Sequence, residues 1–488
     1  MRLLEGSKRM KNQLKTPLFD ALTEHVNKRP VSFHVPGHKY GEVLQAEAHP
    51  YFKQVFQMDA TELSGLDDLH SPEGAILEAE VLLADLYQTR KSYFLVNGST
   101  VGNLAMIMAS CEEGSKVLVQ RNCHKSILNG LSLAKADPIF LEPEFNQEWK
   151  VPSGIRLETV RESIRLYPDV KALILTYPNY YGMGFELQEI INEAHHHHIP
   201  VLIDEAHGPH FILGDPFPPS ALQLGADIVV QSAHKILPAM TMGSYLHINS
   251  DLINQHSVKE YLVMLQSSSP SYPIMASLDL ARNYLGTYNQ KDLTFLLTEI
   301  DRFKSELAEI PAIKVLDYPN ANGDPLKITI QSRCQLNGYE LQRKLEEGAI
   351  YTELADPHNL LFILPLLKDG QSFPLEETML RIKEALTGLP SINRHEEFEL
   401  AGQKISSLAV TFKEMEKLEI KAVPILSALK EVSAETIIPY PPGIPLLLKG
   451  ERITKNKLSQ LTLLLKSGAR FQGGSLLKDK MIKTFITT

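Results

Sequence analysis

The sequence predicts an α/β chain: a mainly parallel sheet covered by helices, followed by a small α+β domain and a C-terminal domain. Three observations carry this prediction. Short apolar runs alternate with helical patterns from about residue 92 to 249. Each run is nearly continuous rather than alternating, as expected for a strand buried on both faces. Beyond Tyr272 the pattern turns to long helices and then to shorter mixed elements.

The strand candidates are SYFLV (92–96), KVLVQ (116–120), PIFLE (138–142), KALILTY (171–177), PVLIDEA (200–206), DIVVQS (227–232) and GSYLHI (243–248). Helical patterns fall between them at about 101–110, 124–135, 157–166, 186–197 and 219–224. After Tyr272 a long helical pattern runs to about Leu307. Strands follow near 313–317 and 325–331, then a helix at 338–348, strands near 350–354 and 359–365, and a helix at 375–387. Pro390, Asn393 and a Glu-rich stretch make 389–405 a linker to a C-terminal region containing IPYPPGIPLLLKGERIT. The chain accordingly divides into an N-terminal segment (1–60), a large domain (61–290), a small α+β domain (291–388) and a C-terminal domain (389–488).

Composition bounds the function. At 488 residues, 43% hydrophobic and 22% charged, the chain has the balance of a globular protein of two or three domains. It contains no apolar run of about eighteen residues, and the opening MRLLEGSKRMKNQLK lacks the apolar stretch of a secretory signal. A soluble, cytoplasmic protein with no membrane partner is expected. Cys111, Cys123 and Cys334 are widely spaced and odd in number, so they read as reduced thiols without metal-ligand spacing. A formal charge of −9 argues against a general nucleic-acid binder.

The chemistry is concentrated at the ends of two apolar runs. Asp204 ends VLID, at the carboxyl edge where open α/β sheets bind ligands, and Lys235 follows the next run, DIVVQSAHK, at the same edge. A pyridoxal-phosphate (PLP) site needs a lysine amine to condense with the cofactor aldehyde, an acid to keep the pyridine nitrogen protonated, and anion donors for the phosphate. Lys235 and Asp204 supply the first two. Gly98, Ser99 and Thr100, between a strand and a helical pattern, read as a phosphate cup of amides and hydroxyls; a GST turn alone reads first as an ordinary N-cap, and its place in this chain order is what favours the cup. Ser232 and His234 flank the lysine as further donors.

SAHK (232–235), with DEAHG (204–208), RNCHKS (121–126), HVPGHK (34–39), GLDDLH (65–70) and YPPGIP (440–445), resembles the Orn/Lys/Arg decarboxylases of PLP fold type I. The resemblance is to their shorter bacterial members, which lack an N-terminal wing domain, and it covers nearly the whole chain. It implies Lys235 as the cofactor lysine, Asp204 as the pyridinium partner, and His207 as a second neighbour of the ring. His124 is similar to the histidine that stacks on the cofactor face, and Ser99, Thr100, Ser232 and His234 match phosphate-side positions. In the family the segment holding His34 and His38 lies near the site across a dimer interface, so at least a homodimer is expected. The resemblance further implies loss of CO2 from a small basic amino acid. Lys235 or His234 is the proton donor to the α-carbon, and the alternatives stay open. Glu353 and Asp356, in IYTELADPHNLLFIL, match the loop that faces the substrate's distal cation; from the residues alone they are acids at a turn between two strands. Arginine is the favoured substrate, with lysine and ornithine behind it. After the lysine the family pattern has small residues and a glutamine, where this sequence has Pro238 and Met242.

Other polar clusters have structural readings. His195–His198 ends a helical pattern and reads as a solvated helix end rather than a metal site. Asp67, Asp68 and His70 read as a loop cap or a substrate-side acid cluster, and Ser267–Ser271 as a turn and helix cap, or as hydroxyls reaching a neighbouring subunit's phosphate. Two rival functions accompany this reading: another fold type I reaction such as transamination or aldol cleavage, and a catalytically silent PLP-binding regulator.

Overall fold

A computed structural model describes residues 12–392, 404–439 and 444–487. Most of the expected linker (393–403) and most of YPPGIP (440–443) lie outside the described residues. Two compact units make up the chain. The first takes residues up to Ser110, Pro200–Asp215 and Pro219–Gln290; the second takes Cys111–Ile199, Pro216–Pro218 and the chain from Lys291.

Four strands of the first unit follow the order Lys91–Leu95, Ser244–Ile248, Ile228–Gln231, Val201–Asp204. The last two are parallel, with Asp204 opposite Val230, and the other pairings are antiparallel. Every residue of Val201–Asp204 and Ile228–Gln231 is buried, which accounts for their continuous apolar runs. Helix Gly98–Ser110 packs on this sheet at Gly102, where a Cβ would stand 2.7 Å from Leu95 Cδ1 and 2.8 Å from Val230 Cγ1. Only glycine permits that approach. Asp67 organises the entry to helix Ala75–Tyr87. Its carboxylate accepts from the amides of Asp68, Glu73, Gly74, Ile76 and Leu77, which hold its carboxyl below the ordinary range even though burial opposes them.

Two expectations need correction. The helical pattern at 219–224 is instead a run of turns at 221–225, closed by the Ala226 amide donating to Ala221 O at 2.9 Å, with Gly225 at φ 92°. The Ser220 hydroxyl and Ala221 amide are drawn instead to the Glu205 carboxyl, at 2.9 and 2.6 Å. The long helical pattern after Tyr272 is two helices, Tyr272–Gly286 and Gln290–Ala308. They part where the Thr287 hydroxyl bonds back to Asn283 O at 2.7 Å.

In the second unit, strands Ala172–Thr176, Lys116–Gln120, Asp137–Leu141 and Ile405–Ser407 are ordered in that sequence, the first two pairings parallel and the last antiparallel. An antiparallel sheet runs Ile313–Val315, Lys327–Ser332, Asn359–Ile363, Leu354–Ala355, and the chain adds helices Gly338–Glu347 and Leu375–Leu386. The strand expected near 350–354 shrinks to Leu354–Ala355, because Ala349 turns at φ 57° and Tyr351 and Glu353 face solvent. Strands Ile420–Pro424, Met481–Phe485 and Val432–Ser433 form a further antiparallel sheet, and Ile425, Ile437, Leu447, Leu461 and Ile482 form a core cluster of this C-terminal region. Arg121 anchors the region: it donates to Pro445 O at 2.8 Å and pairs with Glu451 at 2.9 Å, both side chains being buried.

Candidate active site

Strand Val201–Asp204 delivers Asp204 at its carboxyl end, and the adjacent strand Ile228–Gln231 runs into the single helical turn Ala233–Ile236 that carries Lys235. Backbone bonds hold the two exits together: Glu205 N donates to Val230 O at 2.9 Å, and Ser232 N to Ala206 O at 3.3 Å. Asp204 is 3% exposed. Its Oδ1 accepts from Ala206 N at 3.2 Å and its Oδ2 from Asn103 Nδ2 at 2.9 Å, so each oxygen has a fixed donor. Lys235 Nζ and His207 Nε2 lie 3.0 Å apart in a hydrogen bond that places DEAHG against the lysine.

Helix Gly98–Ser110 begins at the expected cup. Gly98 adopts φ 78°, open to glycine at little cost, and its amide donates to Met242 O at 2.9 Å. The first-turn amides of such a helix have no intrahelical acceptor and favour an anion. Ser232 Oγ is buried without a hydrogen-bond partner among the described residues, an unmet donor immediately before the lysine turn. His234 Nδ1 is engaged with Gly243 O at 3.0 Å. An amine, a buried carboxylate with two donors, a helix head and an unmet hydroxyl are the donor set PLP requires, and these residues fit it.

A buried polar network lies beneath Asp204. Glu205 accepts from Ser220, Ala221 and Gln231; Gln231 bonds His247 Nε2 at 3.2 Å, and His247 Nδ1 bonds the Ser92 hydroxyl at 2.7 Å. Burial pushes the Glu205 carboxyl up to about 8, its donors offsetting only part of that, and pushes His247 down to about 3. Both groups are therefore neutral at pH 7.

His124 belongs to the second unit, at the N-cap of helix Lys125–Ala134, where its Nδ1 accepts from Ser126 N at 3.3 Å. Asp356 and Glu353, in the same unit, differ sharply. Asp356 Oδ1 accepts from the amides of His358 and Asn359 at 2.6 and 2.8 Å, and its Oδ2 from Asn359 Nδ2 at 2.8 Å and from the Tyr181 hydroxyl. That carboxylate builds the turn. Glu353 is exposed, and its carboxylate makes no hydrogen bond or ion pair among the described residues.

Of the remaining clusters, Asp67 is the cap described above and Asp68 accepts from His70 N at 2.8 Å. His70 Nε2 bonds Ser267 O at 2.9 Å, and Ser267 N donates to Asn97 Oδ1 at 3.2 Å, which ties the serine turn to the residue preceding Gly98. Ser271 occupies the N-cap of Tyr272–Gly286 without a side-chain cap bond. His38 bonds Asp59 at 3.0 Å, His34 bonds the Tyr40 hydroxyl at 3.1 Å, and His196–His198 are exposed at a helix end. Asn103, Glu205 and Tyr181 did not stand out in the sequence. The one available signal for Asn103 was a polar residue interrupting the apolar face of the helix after GST, among Val101, Ala105, Met106 and Ile107.

Comparison with known proteins bears on the family and the fold. Residues 16–323 match the family described as "Orn/Lys/Arg decarboxylase, major domain", and residues 394–473 its C-terminal domain. The chain is 46% identical over 477 residues to the uncharacterized protein YaaO of Bacillus subtilis (strain 168), covering 97% of this chain and 99% of that protein. It is 33% identical to the arginine decarboxylase of the same organism, covering 95% and 96%. Among solved structures it is similar to the Francisella novicida lysine decarboxylase LdcF, with TM-score 0.79 at 22% identity over 97% of this chain and 81% of that one. It is also similar in fold to the PLP enzyme fold of Sphingomonas wittichii serine palmitoyltransferase, with TM-score 0.53 at 18% identity over 71% and 84%. The chain thus belongs to the Orn/Lys/Arg decarboxylase family and is a PLP-dependent amino-acid decarboxylase of fold type I.

Proposed function

We propose that this enzyme decarboxylates arginine, with Lys235 as the cofactor lysine, Asp204 as the partner of the pyridine nitrogen, and Glu353 as the carboxylate that binds the substrate guanidinium. The observation that carries the substrate choice is the contrast in identity. Relatives named arginine decarboxylase share 31–33% of their residues with this chain, whereas those named lysine decarboxylase share 23–25%. The condition of the two acids supports Glu353 over Asp356, since Asp356 is occupied by its own turn and Glu353 is not.

Bound PLP supplies the acceptor for the electron pair left when CO2 departs. The protein's part is to hold and protonate. Asp204, buried and oriented by two hydrogen-bond donors, would face the ring nitrogen as its carboxylate partner. The first-turn amides at Gly98–Thr100 and the Ser232 hydroxyl bind the phosphate. Lys235 Nζ, which shares a hydrogen bond with His207 Nε2, is assigned the proton returned to the substrate's α-carbon. The resemblance assigns His124 to one face of the ring. The small domain, the C-terminal region and a homodimeric assembly complete the proposal.

The test is Glu353→Gln. A guanidinium takes a planar two-point carboxylate contact that an amide cannot reproduce. kcat/KM for arginine should fall by at least about a hundredfold, with the cofactor absorbance unchanged. An unaltered kcat/KM removes Glu353 from the substrate site.

A further inference from the structure

We infer that Asn103 is a positioning residue for the reaction: it fixes the orientation of the Asp204 carboxylate, and Gly102 allows the close helix packing that brings it there. This rests on the reading of Asp204 as the cofactor's partner. Asn103 sits inside helix Gly98–Ser110 on its buried face, where an amide side chain gains nothing from propensity and costs desolvation unless it is bonded. Its Nδ2 donates to Asp204 Oδ2 at 2.9 Å. The preceding residue is the close-approach glycine: a Cβ at Gly102 would meet Leu95 and, in the strand leading to Lys235, Val230 at 2.7 to 3.0 Å. Side chains of the two strands therefore pack directly on the helix backbone at the turn that carries Asn103. The same helix offers its head, Gly98–Thr100, to the phosphate. One helix thus serves both ends of the cofactor site: its first-turn amides at one end and, through Asn103 five residues on from Gly98, the Asp204 carboxylate at the other.

Asn103 has a chemical task at Asp204. That carboxylate is 3% exposed and, among the described residues, has two hydrogen-bond donors, the Ala206 amide and Asn103. Asn103 is the side chain of the two. Because an amide does not titrate, its hydrogen bond to Asp204 does not depend on a protonation state of its own.

The test uses the holoenzyme with three variants. Asn103→Ala should lower kcat by about ten- to a hundredfold, since it removes one bond to a charged group, with KM within about twofold. The apoenzyme of this variant should also bind PLP more weakly by fluorescence titration. Asn103→Asp places a second carboxyl against Asp204. Protonated, it donates as the amide does; ionised, it repels. This variant should therefore gain a pH limb absent from the wild type, with both rate and cofactor affinity falling as pH rises, a readout that a purely structural residue would not move. Asp204→Asn is the control. If Asp204→Asn is inactive while Asn103→Ala keeps wild-type kcat and Asn103→Asp shows no new limb, Asn103 has no such role and the Asp204 assignment stands. If Asp204→Asn itself turns over normally, the reading of Asp204 fails, and this inference with it.

Discussion

Glu205 gives the sharpest test of how the site is supported, through Glu205→Gln. Its carboxyl is fully buried beneath Asp204, and burial raises it from the ordinary 4.5 to about 8. A carboxyl raised in the folded state contributes stability that is fully present below its unfolded value and is lost as pH rises through the folded one. At about 1.4 kcal/mol per pH unit, the loss between pH 4.5 and 8 is on the order of 5 kcal/mol. Three donors, from Ser220, Ala221 and Gln231, already oppose that loss and are included in the shift. Glutamine keeps the shape and does not titrate. Thermal denaturation of the apoprotein across about pH 4 to 9 should show the two proteins nearly equal below about pH 4.5, and the wild type falling behind progressively from there to about pH 8, where the gap levels off at several kcal/mol. Parallel stability curves for the two proteins across that range would refute the claim that Glu205 is held neutral.

Other outcomes follow from the same geometry. Lys235→Ala should lose both turnover and the visible absorbance of bound cofactor, and a borohydride-reducible cofactor linkage surviving in that variant would reassign the lysine. Asp356→Asn should act on stability more than on specificity, lowering the melting temperature through weakened turn bonds while the arginine-to-lysine preference is unchanged; a changed preference would return Asp356 to the substrate site. Arg121→Met should destabilise the fold by about 3 to 5 kcal/mol by leaving Glu451 buried beside fewer cations, and a denaturation midpoint equal to the wild type's would show the pair to be dispensable.

The sequence revealed strands more readily than polar contacts. Continuous apolar runs such as VLID and IVVQ read directly as buried strands, and the next residues then had to emerge at the sheet edge, where Asp204 and Lys235 stand. Asn103 was hidden because a single polar residue in an apolar helix face has many fates, and only the 2.9 Å bond to Asp204 distinguishes them. Asp356 was ambiguous for the opposite reason: an Asp-Pro turn predicts a carboxylate there, but not that Asn359 and Tyr181 occupy it. The helical pattern at 219–224 misled because periodicity does not register a long-range competitor, here the Glu205 carboxyl, for the segment's amide and hydroxyl. Gly102 carried no signal at all, since close packing is a property of the facing strand as much as of the glycine.

The central claim, that this enzyme releases CO2 from arginine at a site built on Lys235, is tested most directly by measuring CO2 and amine formation from arginine, lysine and ornithine by the PLP-loaded protein and by Lys235→Ala. Stoichiometric CO2 and agmatine from arginine, with the highest kcat/KM of the three and none from the variant, is the expected result. A higher kcat/KM for lysine or ornithine, or undiminished CO2 release by Lys235→Ala, would contradict it.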